Sequence, residues 1–257
     1  MTMIKRRSAR EIELMRNAGK IAADARQVAG KLVVVGATTK SINDKVHDFI
    51  VSHGAEPAFL NYCGYPASLC ISINEQVIHG IPSSRKLLQG DVVSIDVGAK
   101  VNGFIGDCAA TYIAGDGSKD SERLIQVTRE CFYEGLKFAR VGYRVSDISR
   151  AVQKCAESNG YTVVREYVGH GVGEEMHEPP EVPNYVEIPR KRADPRLLSG
   201  MTIAIEPMVN SGAAAIKVLG DGWTVVTSDG RNSAHYENTI LITDGDPEIL
   251  TVCEGMP

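Results

Sequence analysis

The stretch V-G-H-G-V-G-E-E-M-H-E-P-P, residues 168–180, sets His170 and His177 among three glutamates. Imidazole and carboxylate together are the raw material of metal ligation and of proton transfer. A zinc-binding H-E-x-x-H helix carries its histidines four apart on one face; here they are seven apart. Gly169, Gly171 and Gly173 disfavour a helix, and Pro179 and Pro180 forbid its continuation. The segment is expected to be a loop, and any metal chemistry it does needs ligands from elsewhere in the chain.

A second acidic constellation lies in V-V-S-I-D-V-G-A-K-V-N-G-F-I-G-D, residues 92–107. Asn102-Gly103 is a strong signal for a two-residue hairpin turn. With that turn, Val101 pairs with Phe104 and Gly98 stands opposite Asp107. Asp96, two residues from Gly98, shares its face. The two aspartates are then diagonal cross-strand neighbours, roughly 5–8 Å apart at the backbone. Such a pair repels or shares a proton unless a cation lies between them. A divalent metal resolves the conflict. An acidic face on an exposed edge hairpin is the alternative, although the flanking Val, Ile, Phe and Ala residues argue for burial.

The elements that must position these groups are legible in outline. The chain has 257 residues, 43% hydrophobic and 23% charged, with a net charge of -4. That is the composition of a soluble globular protein with no support for general nucleic-acid binding. Lys5, Arg6, Arg7 and Arg10 open the chain, but no apolar stretch follows, so neither a signal peptide nor a membrane segment is expected. Six cysteines with no C-x-x-C pair read as reduced, mostly buried thiols in a cytoplasmic protein.

Two self-similarities share nearly one offset. Val35 to Ala55 lines up with Val141 to Tyr161 at a shift of 106, and Leu87 to Asp96 with Leu197 to Glu206 at a shift of 110. Together they point to a duplicated fold: one domain of two pseudo-symmetric halves, about 10–115 and 116–250. Helical spacing of apolar residues predicts helices over 9–29, 41–53, 119–140 and 146–158, with Gly54 and Gly160 as stops and Ser146 as an N-cap. Strands are expected over 92–98, 104–113, 201–207, 223–227 and 233–243. The class is α+β, with a largely antiparallel sheet and helices packed on it.

The duplication multiplies the acids. Glu206 takes Asp96's place in the repeat, and Glu237 precedes an apolar strand as Asp107 precedes Cys108 to Ile113. Four buried carboxylates would be costly if unpaired. With His170 they make an oxygen-rich site able to hold two divalent ions roughly 3.5–4 Å apart.

The order Asp96, Asp107, His170, Glu206, Glu237 resembles the five-ligand signature of the methionine aminopeptidases. The contexts S-I-D-V-G, G-D-C-A-A-T, G-H-G-V-G, I-A-I-E-P and Y-E-N-T resemble it too, as do S-L-C-I-S-I-N-E-Q-V-I-H-G-I-P and M-H-E-P-P. The likeness runs from about residue 10 to 250 and is to the short bacterial type I form. It implies the pita-bread fold and removal of the initiator methionine from nascent polypeptides with a small second residue. Asp96 would then hold one ion, Asp107 and Glu237 would bridge the pair, and His170 and Glu206 would complete the other shell. Glu206 would also move the proton of the water nucleophile. His79 would face the departing amide nitrogen, and His177 the carbonyl oxygen as it becomes tetrahedral. Phe59, Tyr62, Tyr65, Cys70, Met176 and Trp223 would wall the methionine pocket.

Two positions depart from that pattern. Position 59 is often Cys in this family and position 176 usually Phe, and Phe59 with Met176 could offset each other in volume. The oxygen-rich set suits Mn, Fe, Co or Zn. Asn74 and Ser233 resemble residues near a monovalent cation site. Arg190, Lys191, Arg192 and Arg196 form a basic loop that is either a ribosome contact or a plain solvated surface. Glu174, Glu175 and Glu178 read as a solvated loop face. A monomer is expected. Competing readings are a proline-directed peptidase or creatinase-like hydrolase with the same ligands, and a metal-free binding module on the same fold.

Overall fold

The computed structural model describes residues 4–187, 189 and 193–253. Four long helices carry the expected periodicity: α1 (Ala9–Leu32), α2 (Thr39–Ser52), α3 (Lys119–Leu136) and α4 (Val145–Ser158). Ser8 caps α1 in a capping box with Glu11, which satisfies amide groups that the first helical turn leaves unpaired. Gly54 and Gly160, at φ 72° and 81°, end α2 and α4 as expected.

Seven strands position the site: β1 (Leu69–Ile73), β2 (Val92–Val101), β3 (Phe104–Ile113), β4 (Gly169–Gly171), β5 (Glu178–Val182), β6 (Thr202–Ile205) and β7 (Glu237–Leu241). They belong to a nine-stranded sheet, counted among the described residues, in which β2, β3, β7, β6, β4 and β5 lie in that order. Every pairing along this path is antiparallel. β1 pairs with β2 on its other side.

Each helix pair covers its own part of the sheet. Ala22, Ile42, Ile71 and Ile95 join α1 and α2 to β1 and β2 in one apolar cluster. Phe132, Ile148, Ile203 and Ile240 join α3 and α4 to β6 and β7 in another. α1 crosses the hairpin closely where Gly19 meets Gly106, and a Cβ at Gly106 would collide with the helix backbone. Isolated bridges Thr38–Lys86 and Arg144–Arg196 are related by the same two sequence shifts as the repeat. So are the hydrogen bonds from Leu87 N to Ala37 O and from Leu197 N to Tyr143 O.

Some expectations need correction. Ser146 is not the N-cap of α4: the helix is capped two residues earlier, at Arg144, whose N–H donates to Asp147 at 2.9 Å. Ser146 instead donates its N–H and hydroxyl to Asp194. The third helix stops at Leu136 rather than 140, in a turn with hydrogen bonds from Phe138 to Gly135 and from Ala139 to Leu136. The segment 233–243 is two strands, since Ser233–His235 pairs in a small separate sheet and the chain crosses at Tyr236 into β7. Likewise 201–207 is strand only over Thr202–Ile205, and 223–227 only over Val225–Thr227. Of the basic loop, Arg190, Lys191 and Arg192 lie outside the described residues.

Candidate active site

The hairpin forms in the expected register, with Val101 opposite Phe104 and Gly98 opposite Asp107. Asn102 and Gly103 have φ of 50° and 86°, the paired positive values of a type I′ turn. Ala109 of β3 stands opposite Asp96 of β2 and opposite Glu237 of β7. Asp96 and Glu237 therefore occupy one row across three strands, and Asp107, two residues from Ala109, shares their face. Asn238 pairs with Ile205, which carries Glu206 alongside Glu237. Gly171 pairs with Ile203, which brings His170 to the same face.

Five side chains from distant parts of the chain thus meet. Ligand atoms of Asp107, His170 and Glu237 all lie within 4.8 Å of one another. The Nε2 of His170 is 3.4 Å from Glu206 Oε1 and 3.8 Å from Asp107 Oδ2. Its Nδ1 lies 2.9 Å from Gly171 O, which leaves Nε2 turned to the acids. The Thr239 hydroxyl donates to Asp107 O at 2.9 Å and accepts Asp107 N–H at 3.0 Å, tying the aspartate to the strand that bears Glu237.

The cluster is buried and under-satisfied. Asp107, Glu206 and Glu237 are buried, with Asp96 partly so. Asp96 Oδ1, Asp107 Oδ1 and Glu237 Oε1 have no hydrogen-bond partner. Burial raises the pKa of Asp107 to about 7. Burial, then the Asp107 charge, pushes Asp96, Glu206 and Glu237 well above the ordinary carboxylate range. Burial and then His177 depress His170 to about 3, which keeps its imidazole neutral and able to ligate. Unpartnered carboxylate oxygens with one neutral imidazole fit a divalent cation and little else, because a cation is what offsets packed negative charge.

The floor opens into a cavity of about 290 Å³ lined also by Phe59, Tyr62, Tyr65, Cys70, His79, Met176, His177 and Trp223. Tyr65 is fixed by its hydroxyl, which donates to Gly80 O at 2.9 Å, and it meets Trp223 edge-on at 5.1 Å. Phe59 and Met176 both press on the face of Gly98, so the two atypical pocket residues are spatial neighbours. The Tyr62 hydroxyl lies 2.7 Å from His177 Nδ1, and the His170 and His177 rings are 4.3 Å apart. His79, with φ 58°, packs edge-on against Tyr167 and Trp223. Burial and then His177 lower its pKa to about 4.

Asn74 and Ser233 also come together, with Ser233 N–H donating to Asn74 O at 2.9 Å. Glu174 and Glu175 are exposed as expected, but Glu178 is not part of a solvated face. Its side chain is 7% exposed and ion-paired with Arg7, a partner too distant in sequence for local reading.

Sequence reasoning missed Cys63, Ile78, Tyr167 and Val168, which complete the lining. It also missed His235, buried with both ring nitrogens unpartnered and its Nε2 3.8 Å from Glu206 and 3.9 Å from Glu237. His235 ends one short strand and Glu237 opens β7, so their meeting depends on the crossing at Tyr236, which strand alternation does not give.

Comparison with known proteins agrees with this geometry. Metallopeptidase family M24 matches residues 13–244. A methionine aminopeptidase of Clostridium acetobutylicum is 50% identical over 245 residues, covering 95% of this chain and 97% of that protein. The crystal structure of methionine aminopeptidase from Rickettsia prowazekii superposes with a TM-score of 0.94 at 42% identity, covering 97% of this chain and 100% of that one. Prolidase from Pyrococcus furiosus shares the fold alone, with a TM-score of 0.78 at 23% identity over 97% of this chain and 66% of the other. With its pita-bread architecture and near full-length match, the chain belongs to metallopeptidase family M24 and, within it, to the methionine aminopeptidases.

Proposed function

We propose that the chain is a metal-dependent aminopeptidase that releases the N-terminal methionine of newly made polypeptides whose second residue is small. One observation carries this reading: unpartnered carboxylate oxygens and a neutral imidazole form the floor of a cavity walled by aromatic and thioether side chains. The floor suits divalent cations, and the wall suits one long, flexible apolar side chain. We further read the chain as one catalytic domain of two pseudo-symmetric halves, about 10–115 and 116–250, acting as a monomer in the cytoplasm, where nascent chains emerge.

In this reading Asp96, Asp107, His170, Glu206 and Glu237 would hold two divalent ions drawn from Mn, Fe, Co or Zn. When bound, such ions supply Lewis-acid chemistry, lowering the pKa of water and polarising a carbonyl. The residues of the chain do the rest. Glu206 takes the proton that the attacking water gives up and returns it to the leaving amine. The Tyr62 hydroxyl lies 2.7 Å from His177 Nδ1; as the donor there it would leave the Nε2 proton of His177 free to donate to the carbonyl oxygen as it becomes tetrahedral. His79, held neutral by burial, bonds the amide nitrogen that departs. Phe59, Tyr65, Cys70, Met176 and Trp223 exclude water from the methionine side chain and so set its register on the floor.

The test is hydrolysis of Met-Ala-Ser and Met-Pro peptides beside Gly-Pro and Ala-Pro controls, with added manganese or cobalt and then with chelator. Release of methionine alone, abolished by chelation, is the expected result. Cleavage of Xaa-Pro bonds whatever the first residue would point to a proline-directed peptidase, and binding without turnover to a module that has lost catalysis.

A further inference from the structure

The loop that carries His177 is held by a segment at the far end of the chain. Arg7 precedes α1, and its guanidinium is buried, the side chain 2% exposed. It forms an ion pair with Glu178 Oε2, donates to Thr202 Oγ1 at 3.3 Å, and approaches Val172 O at 3.5 Å. Its own backbone N–H donates to Gly200 O at 2.7 Å. A Cβ at Gly173 would meet the guanidinium, so the strap packs directly against the loop at that point.

Glu178 is the residue that follows His177. One carboxylate oxygen receives Arg7, and the other accepts Glu175 N–H at 3.2 Å. A single side chain therefore closes the turn bearing Met176 and His177 and ties that turn to the strap. Lys5 adds contacts to Glu174 at 2.8 Å and to Glu178 at 3.5 Å. Lys5 and Glu174 are exposed, where an ion pair holds little. The Arg7–Glu178 pair is buried on both sides, and a charge-assisted contact away from water fixes geometry that a solvated one does not.

We propose that Arg7 positions His177: through its ion pair with Glu178, the N-terminal strap sets where the imidazole stands over the reacting carbonyl. This rests on the reading of His177 given above. Arg7 reaches the site through the turn that carries both Met176 and His177, so its loss acts mainly on turnover, with a smaller effect on methionine binding through Met176 and none on metal binding.

The experiment measures kcat, KM and bound metal for release of methionine from Met-Ala-Ser by wild type, Arg7→Met, Arg7→Lys, Glu178→Gln, His177→Ala and the Arg7→Met/His177→Ala double variant. Displacing a reacting group by an ångström costs up to about 100-fold in rate. Arg7→Met is therefore expected to lower kcat about 10- to 100-fold, with metal content unchanged and a rise in KM well below the fall in kcat. Arg7→Lys is expected to recover part of the loss, and Glu178→Gln to repeat it even should Arg7→Met fail to fold. In the His177→Ala background, Arg7→Met is expected to cost nothing more, since both act through one imidazole. A folded Arg7→Met with normal kcat, or one whose loss multiplies undiminished onto His177→Ala, overturns the proposal while leaving the role of His177 intact. A fully active His177→Ala overturns the reading of His177 and this proposal with it.

Discussion

Asp91 and the cavity floor are both places where this molecule buries carboxylates, and they are built in opposite ways. Asp91 is 5% exposed, yet both oxygens are occupied: Arg85 reaches them at 2.9 and 3.3 Å, Asn74 at 2.9 Å and Leu88 N–H at 2.8 Å. Burial pushes its pKa up, but Arg85, Leu88 N–H and Asn74 together bring it below the ordinary range. On the floor, three acids each keep an oxygen with no partner, and the backbone N–H groups near Asp96 and Asp107 offset burial only in part. The lesson lies in the difference. A fold that supplies its own partners uses a buried acid as structure. A fold that withholds them from three acids at once leaves room for something that arrives from outside.

The comparison is tested hardest by removing one acid from each region. Asp107→Asn is expected to cut methionine release on the order of 10³-fold or more and to lower bound metal, measured by titration calorimetry. Asp91→Asn is expected to keep activity and lose about 1–3 kcal/mol of stability, read from denaturant unfolding. An inactive, metal-free Asp91→Asn would erase the distinction.

Next in size are the histidines beside the floor. His79→Ala and His177→Ala are each expected to cut kcat about 10²- to 10³-fold while metal content stays at the wild-type level. Loss of metal in either would move that residue from the wall into the ligand set.

pH separates the two regions by sign. In chelator the floor acids have folded pKa values above their unfolded ones, about 7 for Asp107. Their folded state holds protons more tightly, so stability is highest below the unfolded carboxylate range and falls as pH climbs through the folded values. Asp91 runs the other way: its folded pKa is lowered, so its contribution is present above the unfolded value and lost as pH falls through the folded one. Melting temperature against pH in chelator should flatten on the alkaline side in Asp107→Asn and on the acid side in Asp91→Asn. Saturating divalent metal should remove the alkaline fall in wild type.

The smallest effects belong to the pocket wall. Phe59→Cys and Met176→Phe, made singly, are expected to raise KM for methionyl peptides about tenfold. The two together should recover most of that, because both side chains pack on Gly98 and the exchange roughly conserves volume. Additive losses would show that the two do not share one space.

How much of this was legible beforehand follows from the range of the forces involved. Asp96 and Asp107 could be placed against each other because one two-residue turn sets the register of the hairpin. The four helices could be read from apolar spacing, and the repeat from aligned motifs, with their errors confined to ends such as Ser146 and Leu136. Ser146 misled because its hydroxyl has a better partner in Asp194, which no local rule anticipates.

By itself the sequence determined the local geometry and, through the resemblance of its motifs, the family, and it raised the expectations of a doubled architecture and a five-residue ligand set that the proposed function carries forward. Only the tertiary structure decided that Ala109 would stand between Asp96 and Glu237, that the strand after Ser233 would change sheets at Tyr236, and that Arg7 would reach Glu178. Turns and helical periods are set by residues a few positions apart, whereas pairing between distant strands and the partners of a buried charge emerge when the whole core packs together.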